Sequence, residues 1–266
     1  CNKIISEKSI VRLQENLIRS HAAGLGEPFK PYVARAVMAV RLNSLAKGFS
    51  GVRPELLELL RDIINSGIAP VIPECGSVGA SGDLVHLAHM ALAATGMGKV
   101  WRDNKLCDAG RALREAGLKP AKLSFKEGLA LINGTSAMTA TGAFAVFSAR
   151  KALNVACANA AFAMEIFGGL DDAYDEDLHN LKPHEGQLRI AEIIRGLFEG
   201  SGNIRRRGDT QEAIRRRGKK GAPVFETDIN VQDVYSMRCT PQVLAPVWEA
   251  VEHAAKIIET EANSSN

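Results

Sequence analysis

The sequence has little of the material that marks several common classes of protein. Aromatic residues make up 5% of the 266 residues, and the five cysteines are scattered without a C-x-x-C pair of the kind found in zinc or redox sites. No stretch approaches eighteen consecutive apolar residues, and residues 1–8 lack the charged start and apolar run of a secretory signal. We therefore expect reduced thiols, no metal site, no membrane span and a cytoplasmic location.

Excess charge of one sign is confined to one segment. The formal net charge is +3, and residues 201–222 hold eight basic residues against Asp209 and Glu212, so the remainder of the chain is slightly acidic. An arginine-rich stretch broken by glycines is typical of a solvated loop, and we interpret residues 201–226 as a basic loop insertion. Nucleic-acid binding by this loop is a weaker alternative, and we predict no nucleic-acid partner.

What the sequence does contain is apolar periodicity of the helical kind. Hydrophobic residues make up 46% of the chain, enough for a sizeable core. Apolar spacing, prolines at helix starts and glycines at helix ends predict the following elements. These are helices near residues 31–47, 54–66, 108–116, 136–167, 186–198 and 241–262, and a hairpin at 99–107 that turns at Asp103-Asn104. A further helix begins at Ile10 and is closed by Gly24 and Gly26, and another begins at Asp83, an acidic residue suited to a helix start.

The longest predicted helix is apolar on every side. Between Ser136 and Phe167 the only charged residues are Arg150, Lys151 and Glu165. A helix of this kind must be buried on all faces, which places it at the centre of a bundle. Since 266 residues do not readily supply that cover, we predict a mainly α-helical single domain over residues 1–266 that assembles as a homotetramer.

A glycine-rich loop interrupts the helical pattern before residue 83. Residues 76–84 read Gly-Ser-Val-Gly-Ala-Ser-Gly-Asp-Leu. One interpretation is an anion cradle at a helix start. The other is backbone cyclisation, in which the amide nitrogen of Gly82 reaches the carbonyl carbon of Ala80 because glycine lacks a Cβ. Physical chemistry alone leaves both open, and for Ala80-Ser81-Gly82 taken singly a tight turn is the more ordinary structure.

Several motifs together resemble the aromatic amino acid ammonia-lyases and the related 2,3-aminomutases. The loop is similar to that family's signature, and four further blocks occur in the family's order. They are residues 41–48 (RLNSLAKG), 127–135 (EGLALINGT), 182–187 (KPHEGQ) and 232–239 (QDVYSMRC). The resemblance covers nearly the whole chain. It implies a long-helix bundle of the ammonia-lyase/fumarase-like type and a homotetramer in which each active site takes residues from three subunits.

The resemblance also implies a set of site residues. Ala80, Ser81 and Gly82 would form a 4-methylidene-imidazol-5-one autocatalytically, so that no cofactor is added from outside. Asn133 and Tyr235 would join this group as catalytic residues. Arg238 would hold the substrate carboxylate through two parallel donors. The other residues implied to bind substrate are Gln232, Ser20, His21 and Leu84.

The implied reaction is non-oxidative deamination of an aromatic L-amino acid to an α,β-unsaturated acid and ammonia. It needs a base for the β-proton, which in the family is a tyrosine on an N-terminal loop. The chain opens without methionine and stops within a helical pattern, so we expect this loop, and a C-terminal half, to lie outside it. Ser20-His21 stands at the position where the sequences of phenylalanine-selective members resemble Phe-Leu. This difference disfavours phenylalanine as the substrate.

The specific substrate stays open at this point. Histidine ammonia-lyase is the best single prediction. The basic insertion and the KPHEGQ block resemble tyrosine-acting lyases and 2,3-aminomutases more closely, which makes those enzymes the alternative. From another class, the chain could be a catalytically inactive structural subunit or a helical scaffold whose glycine loop binds an anion. His86 and His89 are predicted to be packed or hydrogen-bonded helix residues rather than metal ligands, and His184-Glu185 to start a helix.

Overall fold

A computed structural model describes residues 9–218 and 229–265, and it is 64% helical. The prediction of a mainly α protein is thereby confirmed. The chain divides into two compact units. Described residues up to Ala145 and from Lys256 onward form the first unit, and Val146–Ala255 forms the second. The assignment of residues 1–266 to one domain, with an insertion at 201–226, stays a prediction.

The first unit begins with helices separated by very short strands. Its elements are α1 (Ile10–His21), β1 (Leu25–Pro28), α2 (Pro31–Ala46), α3 (Pro54–Asn65), β2 (Ala69–Pro70), β3 (Pro73–Cys75), α4 (Leu84–Ala94), β4 (Lys99–Arg102), β5 (Lys105–Asp108), α5 (Ala109–Glu115) and α6 (Glu127–Ile132). It also contains the start of α7 (Ser136–Phe167) and the end of α12 (Thr240–Ala262). The predicted helices and the hairpin are all present.

Three of the short strands do not follow from the sequence. β1 pairs antiparallel with β3, and β2 pairs antiparallel with β4 beside the expected hairpin. The sequence indicates only a broken loop there, because strands of two to four residues that contain proline show no alternation of apolar and polar residues. Their pairing holds the segment that leads into the glycine-rich loop.

The core of the first unit is formed by α2, α3 and α4 around fully buried aliphatic side chains such as Met38, Leu60 and Leu87. A buried carboxylate ties α6 to this core. Glu127, 1% exposed, accepts hydrogen bonds from the Arg53 guanidinium at 2.9 and 2.8 Å and from the backbone N–H of Ser124 at 2.7 Å. Glu127 thereby fixes the start of a helix only six residues long, which would not be stable alone.

Helices connected by short loops make up the described residues of the second unit. A 3-10 turn (Asp171–Tyr174) follows the end of α7. The helices after it are α8 (Glu176–Asn180), α9 (Glu185–Phe198), α10 (Arg207–Arg217), α11 (Tyr235–Arg238) and the first part of α12. Its core gathers Cys157, Met164, Tyr174, Ile194 and Phe198. His184 and Glu185 stand at the start of α9, as predicted.

The basic segment is not a loop over its whole length. Residues 207–217 form α10, and residues 219–226 of the predicted insertion lie outside the described residues. Acidic side chains contact the arginines at the start of α10. Asp171 accepts from the N–H of Arg207, and Asp172 forms an ion pair with the same arginine at 3.0 Å. Arg206 pairs with Asp171 at 2.9 Å, so much of the positive charge is neutralised within the chain.

The long helix α7 has the predicted bounds, and its burial on all faces stays a prediction for the assembly, because the single chain leaves several of its apolar side chains exposed. Phe147, Phe162, Ile166 and Phe167 are 62–73% exposed. Burial of these faces requires atoms that one copy of this chain does not supply. Among the described residues, no helix combines the length and the hydropathy that crossing a membrane requires.

Replacing Glu127 tests the tie between α6 and the core. Burial alone would raise the pKa of Glu127, but hydrogen bonds from the Arg53 side chain and from two backbone N–H groups outweigh it and hold the pKa below its usual value. The charged carboxylate of Glu127 therefore contributes fully to the free energy of unfolding at pH values above the pKa that it has in the unfolded chain. This contribution is lost as the pH falls through the lower pKa that it has in the folded protein.

We expect Glu127→Gln to lower the free energy of unfolding by about 2 kcal/mol at pH 7. The difference from the unsubstituted protein should shrink below a pH of about 4. Urea unfolding of the intact protein at a series of pH values measures both effects. A difference that does not change with pH would contradict the role of the carboxylate charge.

Candidate active site

The glycine-rich loop joins β3 to α4 in an unusual backbone conformation. Ser81 has φ 58°, in a region that non-glycine residues rarely adopt, and it lies between Gly79 at φ 70° and Gly82 at φ 78°. Ala80 and Ser81 are exposed. A non-glycine residue in this conformation costs about 1–2 kcal/mol, so the neighbouring structure must hold it.

Gly134 is the neighbour that holds the loop. Gly82 and Gly134 form a parallel bridge, and the N–H of Asp83 donates to the carbonyl oxygen of Gly134 at 2.7 Å. A Cβ added to Gly82 would overlap that carbonyl group. Glycine is therefore required at position 82 by contact as well as by its positive φ, and Asn133 lies next to this contact as the C-cap of α6.

Asp83 joins the loop to α7 rather than capping its own helix. Its side chain makes no capping hydrogen bond to α4, although the sequence indicates an acidic helix start there. Instead a carboxylate oxygen accepts from the N–H of Met138 in the first turn of α7 at 2.7 Å. A negative charge at that helix N-terminus is favourable. The glycine loop is thus fixed between the C-terminus of α6 and the N-terminus of α7.

Ser20 and His21 end α1, which packs against α4. The Ser20 hydroxyl donates to the carbonyl of Leu17 at 2.9 Å, and His21 Nδ1 lies 2.8 Å from the same oxygen. Since a carbonyl oxygen only accepts, Nδ1 carries the proton and Nε2 of a neutral His21 is left as an acceptor. Leu84 is the first residue of α4, directly after the loop.

The two histidines of α4 are hydrogen-bonded to backbone groups, as predicted. His86 Nε2 lies 3.1 Å from the carbonyl oxygen of Glu74, and its ring stacks on Phe29. His89 Nε2 accepts from the N–H of Gly24 at 3.2 Å, and burial, with a smaller effect of His86, lowers the pKa of His89. Within the described part of the chain, no three potential ligands are grouped for a metal ion.

The other predicted site residues meet in the second unit. Gln232, Tyr235 and Arg238 line one cleft of about 520 Å³. Tyr235 is 71% exposed, so it is not a core aromatic, and the guanidinium carbon of Arg238 lies 5.5 Å from the centre of its ring. A cation, a phenol and an amide around one cleft are suited to a small molecule that carries a carboxylate.

Hydrogen bonds to neighbouring backbone and side chains position the segment at 233–238. Asp233 accepts from the N–H of Leu170 at 2.5 Å and from the Arg205 guanidinium at 2.8 Å, while its carbonyl oxygen accepts from Arg238 Nε at 2.9 Å. Tyr174, fully buried, donates its hydroxyl to the carbonyl of Met237 at 2.5 Å, and burial raises its pKa. The four-residue helix α11 therefore has external support on both sides.

The sequence does not single out several of these supporting residues. Gly134 and Asp233 lie inside motifs that resemble family blocks, but nothing in their types or spacing shows what they contact. Asp83 is recognised as a helix-start residue, and its attachment to α7 depends on a neighbour 55 positions away. Membership of a motif is the one signal that could have pointed to them.

The model of the family described as aromatic amino acid lyase matches residues 1–266. The chain belongs to the aromatic amino acid lyase family. The tyrosine 2,3-aminomutase of Myxococcus fulvus is 45% identical over 265 residues, which are 100% of this chain and 50% of that protein. The histidine ammonia-lyase of Streptococcus gordonii is 41% identical over 264 residues, which are 99% of this chain and 48% of that protein.

Solved structures of the family have the same fold. The phenylalanine aminomutase of Pantoea agglomerans superposes with a TM-score of 0.92 at 35% identity, covering 100% of this chain and 51% of that one. The chain spans about half the length of the curated relatives that it matches. As a member of the aromatic amino acid lyase family, it has the predicted long-helix fold.

Two alanine substitutions in the loop separate steric contact from backbone strain. Gly79→Ala and Gly82→Ala both place a side chain at positive φ, but a Cβ at Gly79 has no neighbour within 4 Å whereas one at Gly82 overlaps Gly134. We expect Gly79→Ala to lower the free energy of unfolding by about 1–2 kcal/mol. Gly82→Ala should lower it by about 3 kcal/mol or more, because overpacking is added to strain.

Urea unfolding of the intact protein compares the two variants directly. Equal losses of stability would mean that the contact with Gly134 does not constrain position 82.

Proposed function

We propose that the protein eliminates ammonia from an aromatic L-amino acid by means of an electrophile formed from Ala80, Ser81 and Gly82. The observation that carries the proposal is the exposed Ser81 at φ 58°, followed by a Gly82 whose missing Cβ lets it lie against Gly134. Asp103, Asn104 and Lys126 also have positive φ, and the contact of Gly82 with Gly134 is what distinguishes this loop from those turns. Strained backbone of this kind is concentrated at functional sites.

Ring closure between Ala80 and Gly82 would give a 4-methylidene-imidazol-5-one. Only φ and ψ of Ser81 set the distance between the carbonyl carbon of Ala80 and the amide nitrogen of Gly82, because these are the two bond rotations that lie between those atoms. A bond between those two atoms releases one water. Loss of the Ser81 hydroxyl with its α-hydrogen releases a second water and leaves the exocyclic methylidene. Glycine at position 82 leaves its nitrogen accessible for this bond.

Once formed, the group supplies an electrophilic carbon to the amine or the ring of the substrate without an added cofactor. The remaining tasks fall to side chains. Arg238 binds the substrate carboxylate, and Gln232 and Tyr235 line the same cleft. Asn133, the residue before Gly134, would contribute its amide to the site. Elimination breaks the Cα–N bond and a Cβ–H bond, and the family resemblance assigns the base to a tyrosine on an N-terminal loop.

The substrate ring is the less determined part of the proposal. Ser20, His21 and Leu84 would face it, and His21 offers an acceptor at Nε2 to a phenol or an imidazole N–H. Histidine, the best single prediction from the sequence, is supported by the 41% identity to a histidine ammonia-lyase. L-Tyrosine is the second candidate, favoured by the 45% identity to a tyrosine 2,3-aminomutase.

We further propose that the working protein is a homotetramer with active sites shared between subunits. The exposed apolar side chains of α7 support this assembly, since Phe147, Phe162 and Phe167 would otherwise stand in water.

Mass spectrometry and product analysis of the intact protein test the function. We expect the proteolytic peptide that contains Ser81 to be lighter by two waters, and Ser81→Ala to abolish both this loss and the release of ammonia. Incubation with L-histidine should yield urocanate, and incubation with L-tyrosine should yield coumarate or a β-amino acid. An unmodified peptide would favour an inactive structural subunit or an anion-binding scaffold.

Two arginines of one cleft provide a matched test of carboxylate binding. Arg238→Lys replaces two parallel donors by a point charge, and we expect KM to rise by about tenfold or more. Arg207→Lys is the control, since Arg207 lines the same cleft but pairs with Asp172 and donates to the carbonyl of Val231 at 3.1 Å.

Steady-state kinetics with the preferred substrate measure KM for both variants, and light scattering checks that each keeps the mass of the unsubstituted assembly. A larger rise in KM for Arg207→Lys than for Arg238→Lys would contradict the assignment.

A further inference from the structure

Arg41 is a buried cation that contacts the end of a helix. It lies on α2 and is 1% exposed. Its Nη2 donates to the carbonyl oxygen of Asn133 at 2.7 Å and makes a very short contact with that of Ala130. Burial lowers the pKa of Arg41 to about 10, so the guanidinium still carries its charge at neutral pH. A positive charge at the C-terminus of α6 is favourable because the last carbonyl groups of a helix have no partner within it.

A short series of contacts joins Arg41 to the glycine loop. Asn133, held by the guanidinium, is followed in the chain by Gly134. The carbonyl of Gly134 accepts from the N–H of Asp83, and Gly82 lies against the same carbonyl. Three links thus connect the Arg41 guanidinium to the nitrogen of Gly82, which must form the new bond. They are the hydrogen bond to Asn133, the peptide bond from Asn133 to Gly134, and the backbone contact of Gly134 with Gly82.

We infer that Arg41 is a positioning residue for ring closure between Gly82 and Ala80, acting through Asn133 and Gly134. The inference rests on the proposed function, and it assigns to Arg41 no contact with the substrate. Arg41 stands in the RLNSLAKG block, whose sequence carries the family resemblance but does not show what Arg41 contacts.

The physical reason lies in the freedom of the loop. Ring closure is an intramolecular reaction, and its rate depends on how often Ser81 holds the bent conformation that brings the two atoms together. With φ at 58°, Ser81 would leave this conformation if the surface behind it moved. Asp83 anchors the loop to α7, and Gly134 supports Gly82. Without Arg41 the end of α6 would lose the hydrogen bonds that the guanidinium donates to the carbonyl oxygens of Ala130 and Asn133, and the surface behind Gly82 would be held less firmly.

Two substitutions of Arg41 and one matched control test the inference. Arg41→Met fills a similar volume without a donor, and Arg41→Lys keeps the charge but presents a single point donor. Glu127→Gln is the control, because Glu127 is equally buried and ties the opposite end of α6, away from Gly134. Each full-length protein is synthesised in a cell-free reaction, and its folded fraction is isolated by gel filtration. The loss of two waters from the Ser81 peptide is then followed over time by mass spectrometry.

We expect dehydration to be slower by about tenfold in Arg41→Met. Arg41→Lys should restore part of the rate, and Glu127→Gln should match the unsubstituted protein. Dehydration of Arg41→Met at the normal rate would overturn the inference while the proposed function stands. Equal slowing in Arg41→Met and Glu127→Gln would also overturn it, because general loss of stability would then be the cause.

An unmodified Ser81 in the unsubstituted protein would overturn the proposed function itself, and the inference with it. The experiment measures the covalent state of the chain and not substrate turnover. A variant of Arg41 that dehydrates normally but has low activity therefore does not support the inference.

Discussion

The contact between Gly82 and the carbonyl group of Gly134 is the constraint on which the rest of the candidate site depends. It leaves no space for a Cβ, and it holds Ser81 in a conformation that L-residues with side chains avoid. Such strain persists only where surrounding structure determines it. The short strands that lead into the loop, the end of α6 and the start of α7 all serve to hold this one backbone segment.

Buried charges fix the helices on either side of that segment. Glu127 lies at one end of α6 and Arg41 at the other, while the carboxylate of Asp83 lies at the start of α7. Each is hydrogen-bonded to backbone groups that would otherwise lack partners. Since an unsatisfied buried polar group is costly, such networks favour one geometry strongly over its neighbours. A purely apolar interior could stabilise the same helices, but it would leave the loop less well defined.

The cleft of the second unit follows the same principle with different residues. Arg238 and Tyr235 stand on a helix of four residues, which cannot be stable by itself. Asp233, bonded to Arg205 and to the backbone of Leu170, fixes the chain before this helix. Tyr174 holds the carbonyl of Met237 within it. Gln232 and Tyr235 are thus accessible in the cleft, while Tyr174 and the Asp233 carboxylate, which help to place them, are largely buried.

The sequence by itself determined the helical class, the bounds of the long helices and the family, because apolar periodicity and motif order are local properties that survive without a partner. It also marked Ala80, Ser81 and Gly82. Only the tertiary structure decided that Gly134 lies behind Gly82, that Asp83 caps α7 and that α10 replaces part of the predicted basic loop. Those outcomes depend on contacts between residues tens of positions apart, and such contacts are set by packing rather than by any pattern along the chain.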